Sequence, residues 1–439
     1  METQAIRSQH SLTSPNVAHC EHNVSILAIS ELVRALINAT VSAVRPEAAI
    51  HRVCARRGSV FHVGPNSYDL GEYSKILLFA IGKAAPAMAL AVSDLLHDLA
   101  VEQWIVTKPI HGRIPTSNYP HHVVHAVVTG HPTPDARSAE AGEQVCAALA
   151  DISTGTLVIA CISGGASALM VAPHDGISLR SIQAINDALL RSGADIAELN
   201  NIRGRLDRLK AGGFARMSAP APLIGLILSD VIGDPLDVIA SGLTFSPESQ
   251  RIQNFIIANN QLACEGARNF LNRVMPNCAE IVTTTLSGEA RMVGQAIIQD
   301  LTRQIASTGG NMPLCRIYGG ETTVTIRGIG KGGRNTELAL AAALEIERLF
   351  TTRSEEETVT LIALATDGSD GPTDCAGAVA NATTVMRARN LGLHPQQFLE
   401  ANDSYTFFEG LGDLIKTGPT GTNVADVTIA IYDPGNMLR

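Results

Sequence analysis

Aromatic residues are scarce in this chain, at 4% of 439 residues with a single Trp, although 45% of the residues are hydrophobic. The apolar content is therefore aliphatic, and 38 glycines punctuate it. That mixture disfavours an all-β sandwich and suits an α/β fold whose strands end in tight loops. Runs of basic residues are also missing: the formal charge is -9, and Lys and Arg are never more than two in a row. This excludes a nucleic-acid surface built on phosphate neutralisation, but not small anionic substrates met by single cations. The eight cysteines (Cys20, Cys54, Cys146, Cys161, Cys264, Cys278, Cys315, Cys375) show no CxxC pair and no paired spacing. Neither a disulfide framework nor a zinc site is expected, and the thiols read as those of a cytoplasmic protein. No apolar run reaches the roughly 18 residues needed to cross a bilayer, so no membrane partner is expected. The polar residues 1–20 lack the layout of a secretory signal and read as a disordered extension.

What is present is a succession of apolar runs, each closed by small or charged residues. The length favours two domains. A cluster of Ser, Pro, Glu and Gln between Phe245 and Arg251 places the boundary between an N-terminal domain over 21–248 and a C-terminal domain over 249–434. Ile29, Leu32, Val33, Leu36, Ile37, Thr40, Val41 and Val44 recur at helical spacing until Pro46, which predicts an amphipathic helix packed on a sheet. Ile76 to Ile81 reads as a strand ending in Gly82-Lys83 before an Ala-rich helix to about Leu96. Leu157 to Ile162 and Leu223 to Leu228 read as further strands, ending in Ser163-Gly164-Gly165-Ala166-Ser167 and Ser229-Asp230-Val231. Strands alternating with helices in this way predict a doubly wound, Rossmann-like parallel sheet, with ligands at the carboxyl ends of its strands. The second half has a segment from Arg316 to Ile326, a glycine-rich loop and a helix from about Asn335 to Leu349. A strand from Val359 to Ala365 and a last strand from Val427 to Tyr432 complete a second α/β domain. The charged stretch Arg353 to Glu357 reads as a solvated loop.

The strand ends carry the candidate chemistry. Lys83 follows a strand, where its ammonium group either neutralises a phosphate or points to water. Ser163, Gly164, Gly165 and Ser167 form a small-residue turn whose free N–H groups suit a carboxylate or phosphate, or serve only as a tight turn. No Gly-Lys-Ser/Thr follows, so it is not a Walker A loop. Gly328-Ile329-Gly330-Lys331-Gly332-Gly333-Arg334-Asn335 places glycines, a lysine and an arginine just before a helix, a pattern read as an anion cradle with a fork-shaped cation. Asp230 and Asp367 follow strands, and Asp367, Asp370 and Asp374 crowd into eight residues. Such carboxylates hold Mg²⁺, accept a proton from a hydroxyl, or simply close Asx turns. Three of them so close suggest a metal or a nearby cation. Thr420 and Asn423, in the turn from Gly418 to Asn423, are candidate ligand contacts. His121, His122 and His125 lie near an expected strand and could bind metal, although surface histidines are the commoner case, while His131 is held rigidly by the two prolines that follow it, Pro132 and Pro134, or is simply a packed turn.

Read in order, these segments resemble the glycerate 2-kinase family whose C-terminal half is a MOFRL-type module, here about 312–432. The resemblance spans about residues 25 to 434. It rests on Ile81-Gly82-Lys83-Ala84-Ala85, Gly130-His131-Pro132 through Asp135, Ser163-Gly164-Gly165 and Leu199-Asn200 through Gly213. It continues through Ser229-Asp230-Val231-Ile232-Gly233-Asp234, Ile239-Ala240-Ser241-Gly242, Gly319-Gly320-Glu321-Thr322-Thr323-Val324 and Gly332-Gly333-Arg334-Asn335, then Thr366-Asp367-Gly368 through Asp374 and Gly418 through Val424.

The resemblance implies an active site in the cleft between two domains, with ATP, Mg²⁺ and D-glycerate as ligands. Lys83 and Arg334 would stabilise the transferring phosphoryl group. Asp230 and Asp367 would bind the metal or accept the proton, in an order the sequence leaves open. Ser163, Gly164 and Gly165 would hold an anionic group. Ser167, Asn200, Arg203, Lys210, Glu321, Gly332, Gly333, Asn335, Thr420 and Asn423 would line the substrate or nucleotide site. Oligomeric state is left open, a homodimer included.

The chain departs from the family pattern at Gly204 and Asp207, where relatives carry Lys and Ser, and at Thr336 and Leu243, where they carry Gln and Pro. The first two place substrate choice near Asp207. Similar sequences are also labelled hydroxypyruvate reductases. That alternative needs a nicotinamide site, and no Gly-x-Gly-x-x-Gly closes a strand here.

Overall fold

A computed structural model describes residues 31–109, 118–192, 196–350 and 358–435. Residues 1–20, Cys20 and the stretch 353–357 lie outside these, as does the start of the first helix. That helix, Glu31–Ser42, buries Val33, Leu36, Ile37, Thr40 and Val41 along one face, as the spacing predicts. Its main neighbour is not a sheet but the helix Asn260–Val274. Both stripes are apolar at helical spacing, so they pack ridge into groove and form part of a layer between two sheets.

A small antiparallel sheet comes first, from β1 (Cys54–Arg57), β2 (Val60–Val63) and β3 (Asn66–Asp69). The main N-terminal sheet contains β4 (Lys75–Ile81), β5 (Val101–Thr107), β6 (His122–Val128), β7 (Thr156–Ile162), β8 (Leu223–Leu228) and β9 (Ile252–Ala258). Its order is β6-β5-β4-β7-β8-β9, and every pairing is parallel. The chain starts at the centre, winds outward to β6, returns and winds the other way. This is the topology of a doubly wound dinucleotide fold, and its switch point falls between β4 and β7. β7 and β8 are buried on both faces, which explains why they read as unbroken aliphatic runs. β9 pairs with β8, so the chain leaves this sheet only after Ala258, beyond the Phe245–Arg251 cluster where the sequence suggested a boundary.

The second sheet holds β10 (Ala279–Leu286), β11 (Leu314–Gly320), β12 (Thr358–Ala365), β13 (Gly377–Asn381), β14 (Leu414–Ile415) and β15 (Asp426–Asp433), in the order β10-β11-β15-β12-β13-β14. β15 runs antiparallel between β11 and β12, so the ends of β11 and β12 and the start of β15 share one edge. β11 stops at Gly320, before the end at Ile326 of the segment marked in the sequence.

Alternate residues of each strand face different cores. Ile76, Leu78 and Ala80 of β4 join Ile317 of β11, Ile362 and Leu364 of β12 and Val427 and Ile429 of β15 in one apolar cluster. The helices Glu31–Ser42, Pro46–Val53, Ala85–Leu95 and Asn260–Val274 contribute to the same cluster. The intervening residues Leu77, Phe79 and Ile81 pack on the outer face of the first sheet, and Leu361 and Ala363 on that of the second. A shared middle layer thus ties both sheets together, and buried aliphatic side chains of this size each stabilise by about 1.5–3 kcal/mol.

At the switch point the backbone is too tight for any side chain. Gly82 has φ +130°, and a Cβ there would collide with Ser163 Oγ and O. Gly82→Ala is therefore expected to lower the unfolding free energy by about 1–3 kcal/mol, the range for backbone strain of this kind. Urea unfolding with an unshifted midpoint would show that the turn relaxes.

Candidate active site

The site is assembled by strand register. Ile81 of β4 lies opposite Val106 of β5 and Ile162 of β7, and Ile162 lies opposite Ile227 of β8. Residues just beyond these pairs therefore form a row: Lys108 after β5, Lys83 after β4, Gly164 after β7 and Asp230 after β8. In the second sheet Asp426 lies opposite both Gly320 and Ala365. A second row follows, made of Glu321 after β11, Asp426 at the start of β15 and Asp367 after β12.

Hydrogen bonds brace the first row. Lys83 N–H donates to Gly164 O at 2.9 Å, and Ala84 N–H to Ser163 Oγ at 3.0 Å. Ser163 is buried, so its hydroxyl joins two turns. Gly165 has φ +86° and lies against His131 and the Lys83 stem. The helix that follows, Ala166–Leu169, is a single turn, so its dipole adds little to anion binding.

The two rows meet at Asp230. Asn423 Nδ2, from the loop before β15, donates to Asp230 Oδ2 at 3.1 Å. Gly164 lets this carboxylate approach, because a Cβ there would overlap it. Burial raises the Asp230 pKa, opposed by the nearby Lys83 ammonium and reinforced by Glu321 and Asp367. Asn260 Nδ2 donates to both Val424 O and Asp426 O at 2.9 Å, and Thr422 Oγ1 donates to Val44 O at 2.7 Å. These bonds fix the β15 approach against the first domain.

Arg334, at the start of the helix Arg334–Phe350, forks onto Asp426 through Nε and Nη2, and its Nη1 lies 2.9 Å from Glu321 Oε1. Burial pushes Asp426 up to about 7 against the opposing pull of Arg334. Asp426 was not among the candidates in the sequence; a lone Asp before an apolar strand carries no distinctive spacing.

Two more groups enter the cleft. Lys108 is half-buried, and its pKa is lowered by that burial and by Lys83, while Asp367 raises it. It stands after its strand as Lys83 does, a signal available in Thr107-Lys108-Pro109. His131 keeps an exposed edge, yet its ring is partly desolvated where it lies against Gly165. That burial, with Lys83 and Lys108 beside it, lowers its pKa to about 4, so the imidazole is neutral at pH 7.

Other sequence candidates are held in structural roles. The glycine loop is not an open cradle. Arg327 and Gly328 N–H donate to Asn402 Oδ1, Gly330 N–H to Ala401 O, Lys331 N–H to Asp403 Oδ1, and Gly333 N–H to Thr336 Oγ1. Its glycines let the loop lie flush on residues 401–405: Cβ atoms at Gly328, Gly330 and Gly332 would collide with that segment, and one at Gly333 with Asp370. Lys331 Nζ sits 3.7 Å from the Tyr405 ring centroid.

The three clustered aspartates diverge. Buried Asp370 caps the helix through Asn335 N–H and Thr336 N–H at 2.9 and 2.8 Å, so Asn335 is a packing residue. Asp374 pairs with Tyr405 and Lys416, and only Asp367 joins the cleft. Thr420 Oγ1 donates to Thr366 O at 2.6 Å and shapes the turn.

Lys210 is buried, donating to Ser167 O at 2.8 Å with Asp207 Oδ2 at 3.4 Å. Asp207 also accepts from Ala172 and Leu209 N–H, which braces the fold. Gly204 faces the Ala211 Cβ at a distance that leaves no room for a side chain. Asn200 Oδ1 accepts from Ser241 Oγ at 2.9 Å, and Ser241 Oγ in turn lies 2.9 Å from Ser167 Oγ. Arg203 Nε donates to Asn186 Oδ1 at 3.0 Å. Of the strand-adjacent histidines, His122 bonds Gln103 and the Leu96 carbonyl, and His125 stacks on Trp104.

A cavity of about 90 Å³ beside Asp230 is lined by residues 229–234 and 259–261 with Thr284, Val424 and Ala425. A broader hollow of about 590 Å³ lies over Ala39, Gly266, Asn269, Asn272 and Arg273. It contains no carboxylate or lysine, so its size does not make it the reactive site. Among the described residues no helix is long and apolar enough to cross a membrane.

Because Lys210 and Asp207 form a buried pair, Lys210→Ala is expected to lower the unfolding free energy by about 3–5 kcal/mol by leaving a buried charge uncompensated. An unchanged urea midpoint would return Lys210 to the substrate face.

Comparison with known proteins identifies the family. Residues 32–272 match the domain of unknown function DUF4147, and residues 314–426 match the MOFRL family. The D-glycerate 2-kinase of Thermotoga maritima is 35% identical over 391 residues, covering 81% of this chain and 90% of the relative. The glycerate 2-kinase of Pyrococcus horikoshii is 35% identical over 403 residues, covering 81% and 87%. Relatives from Agrobacterium vitis carry a hydroxypyruvate reductase name. The crystal structure of glycerate kinase from Thermotoga maritima superposes with a TM-score of 0.78 at 32% identity, covering 92% of this chain and 99% of that one. The chain belongs to the glycerate 2-kinase family, in which a DUF4147 domain precedes a MOFRL module.

Proposed function

We propose that this protein transfers the γ-phosphoryl group of ATP to the 2-hydroxyl of D-glycerate, giving 2-phosphoglycerate and ADP. The observation that carries the reading is the position of Asp230. It is a buried carboxylate, hydrogen-bonded by Asn423 of the opposite domain and facing Lys83. Burial raises its proton affinity, which suits it to take the hydroxyl proton as the oxygen attacks phosphorus. The bond from the γ-phosphorus to the bridging oxygen of ADP breaks in the same displacement. Lys83 balances charge on the transferring oxygens.

Arg334 is held in place by Asp426 and Glu321, and the guanidinium N–H groups outside these three bonds can meet an oxyanion. Ser163, Gly164 and Gly165 form the floor between Lys83 and Asp230.

Among the described residues no three metal-binding side chains converge. Mg²⁺ bound with a nucleotide commonly takes only one or two protein carboxylates, the rest being water and phosphate. Asp367, beside Asp230, fits that mode and would hold the ion, which supplies charge neutralisation at the phosphates.

The reductase reading has less support. At the switch point Lys83 N–H and Ala84 N–H are already bonded to Gly164 O and Ser163 Oγ. A dinucleotide pyrophosphate needs backbone donors of that kind in the first turn.

Purified protein with D-glycerate, ATP and Mg²⁺ is expected to release ADP and 2-phosphoglycerate, identified by phosphorus NMR. Hydroxypyruvate with NADH or NADPH is expected to give no oxidation; nicotinamide oxidation without ADP release would overturn the proposal. Lys83→Ala is expected to lower kcat/KM by about 100-fold or more while the thermal midpoint holds, and near-normal turnover would remove Lys83 from the mechanism.

A further inference from the structure

Lys108 has no part in the chemistry assigned above. β4 and β5 are parallel with Ile81 opposite Val106, and Gly82 N–H donates to Val106 O at 3.0 Å. Lys83 and Lys108 each stand two residues beyond that pair, on neighbouring strands, and adjacent strands run only about 4.8 Å apart. Two ammonium groups in adjacent lanes repel, and Lys108 is half-buried as well. Among the described residues its side chain makes no hydrogen bond or ion pair. Asp367 acts on it only at longer range. Lys108 is preceded by Thr107, whose buried Oγ1 has no hydrogen-bond partner among the described residues. The nearby His131 stays neutral and adds no charge, so among the described residues it does not share the cationic role of the two lysines. Bringing two cations together and partly desolvating one is unfavourable unless an anion joins them.

We propose that Lys108 is a substrate-binding residue which, with Lys83, clamps one oxyanion of the substrate pair at the ends of β4 and β5. The oxyanion is either the carboxylate of the acceptor or the terminal phosphate of the nucleotide, both of which suit a pair of ammonium donors. This rests on the kinase reading, and the test separates the two.

The variants are Lys108→Met, which keeps the stem, and Lys108→Arg, which keeps the charge, each in the full chain. Steady-state kinetics would give kcat and KM for D-glycerate and for ATP separately. Calorimetry would give the binding of D-glycerate and of pyrophosphate, and thermal unfolding would report the fold. Lys108→Met is expected to raise one of the two KM values by about ten-fold or more, the scale of a charged hydrogen bond. Its thermal midpoint is expected to stay at or above that of the wild type, because a repulsion is removed, and Lys108→Arg is expected to recover most of the loss. A rise confined to D-glycerate assigns the carboxylate; one confined to ATP, matched by weaker pyrophosphate binding, assigns the phosphate. Should the wild type lack kinase activity while Lys108→Met still loses anion binding in calorimetry, the clamp stands and the kinase reading falls. Kinetic constants and binding all within two-fold of wild type would overturn the clamp, as would a loss explained by a lowered thermal midpoint.

Discussion

The apolar layer shared by the two sheets is the constraint on which the rest depends. β4, β7 and β8 turn one face toward it, and β11, β12 and β15 turn one face toward it from the other side. Close packing allows little sliding between such faces, because each displaced methylene group costs contact and opens a void. The strand ends above the layer are therefore held at a fixed separation, and the cleft inherits its geometry from the core. Thr422 adds a polar tie that spans the two halves, and Asn260, on the helix between the sheets, ties that layer to β15.

On that base the charges are arranged by which element they follow. Strand ends in the first sheet contribute two lysines and Asp230, and the second sheet contributes Glu321, Asp367 and the Arg334–Asp426 pair. Groups of opposite sign face one another without collapsing into closed ion pairs, apart from Arg334. A closed pair is satisfied internally; the open lysines and carboxylates are what a phosphorylated ligand can use. Asp230 belongs to both halves, since its position comes from one sheet and its hydrogen bond from the other.

The glycines follow the same logic of close approach. Gly82 and Gly164 bring backbone against backbone and carboxylate at the switch point, whereas the glycine loop before Arg334 uses its glycines to lie on residues 401–405. The same residue type thus shapes the proposed site in one place and serves packing in the other. Only the neighbours decide which.

Local sequence marked β4, β7, β8, β12 and β15 and the parallel doubly wound first sheet, because aliphatic runs closed by small residues have few other ways to bury both faces. It also marked Lys83, Asp230 and Asp367, since strand ends in such sheets point into the ligand crevice. What it could not reach were contacts set by residues far apart in the chain. The glycine loop reads as an anion cradle until Asn402 and Asp403 are seen to take its N–H groups. Lys210 reads as a substrate cation until its burial against Asp207 is known. Asp426 carries no distinctive local pattern and Lys108 shows only its place after a strand, and strand register sets where both stand. Burial and register are properties of the assembled sheets, so these roles were decided by the tertiary structure alone.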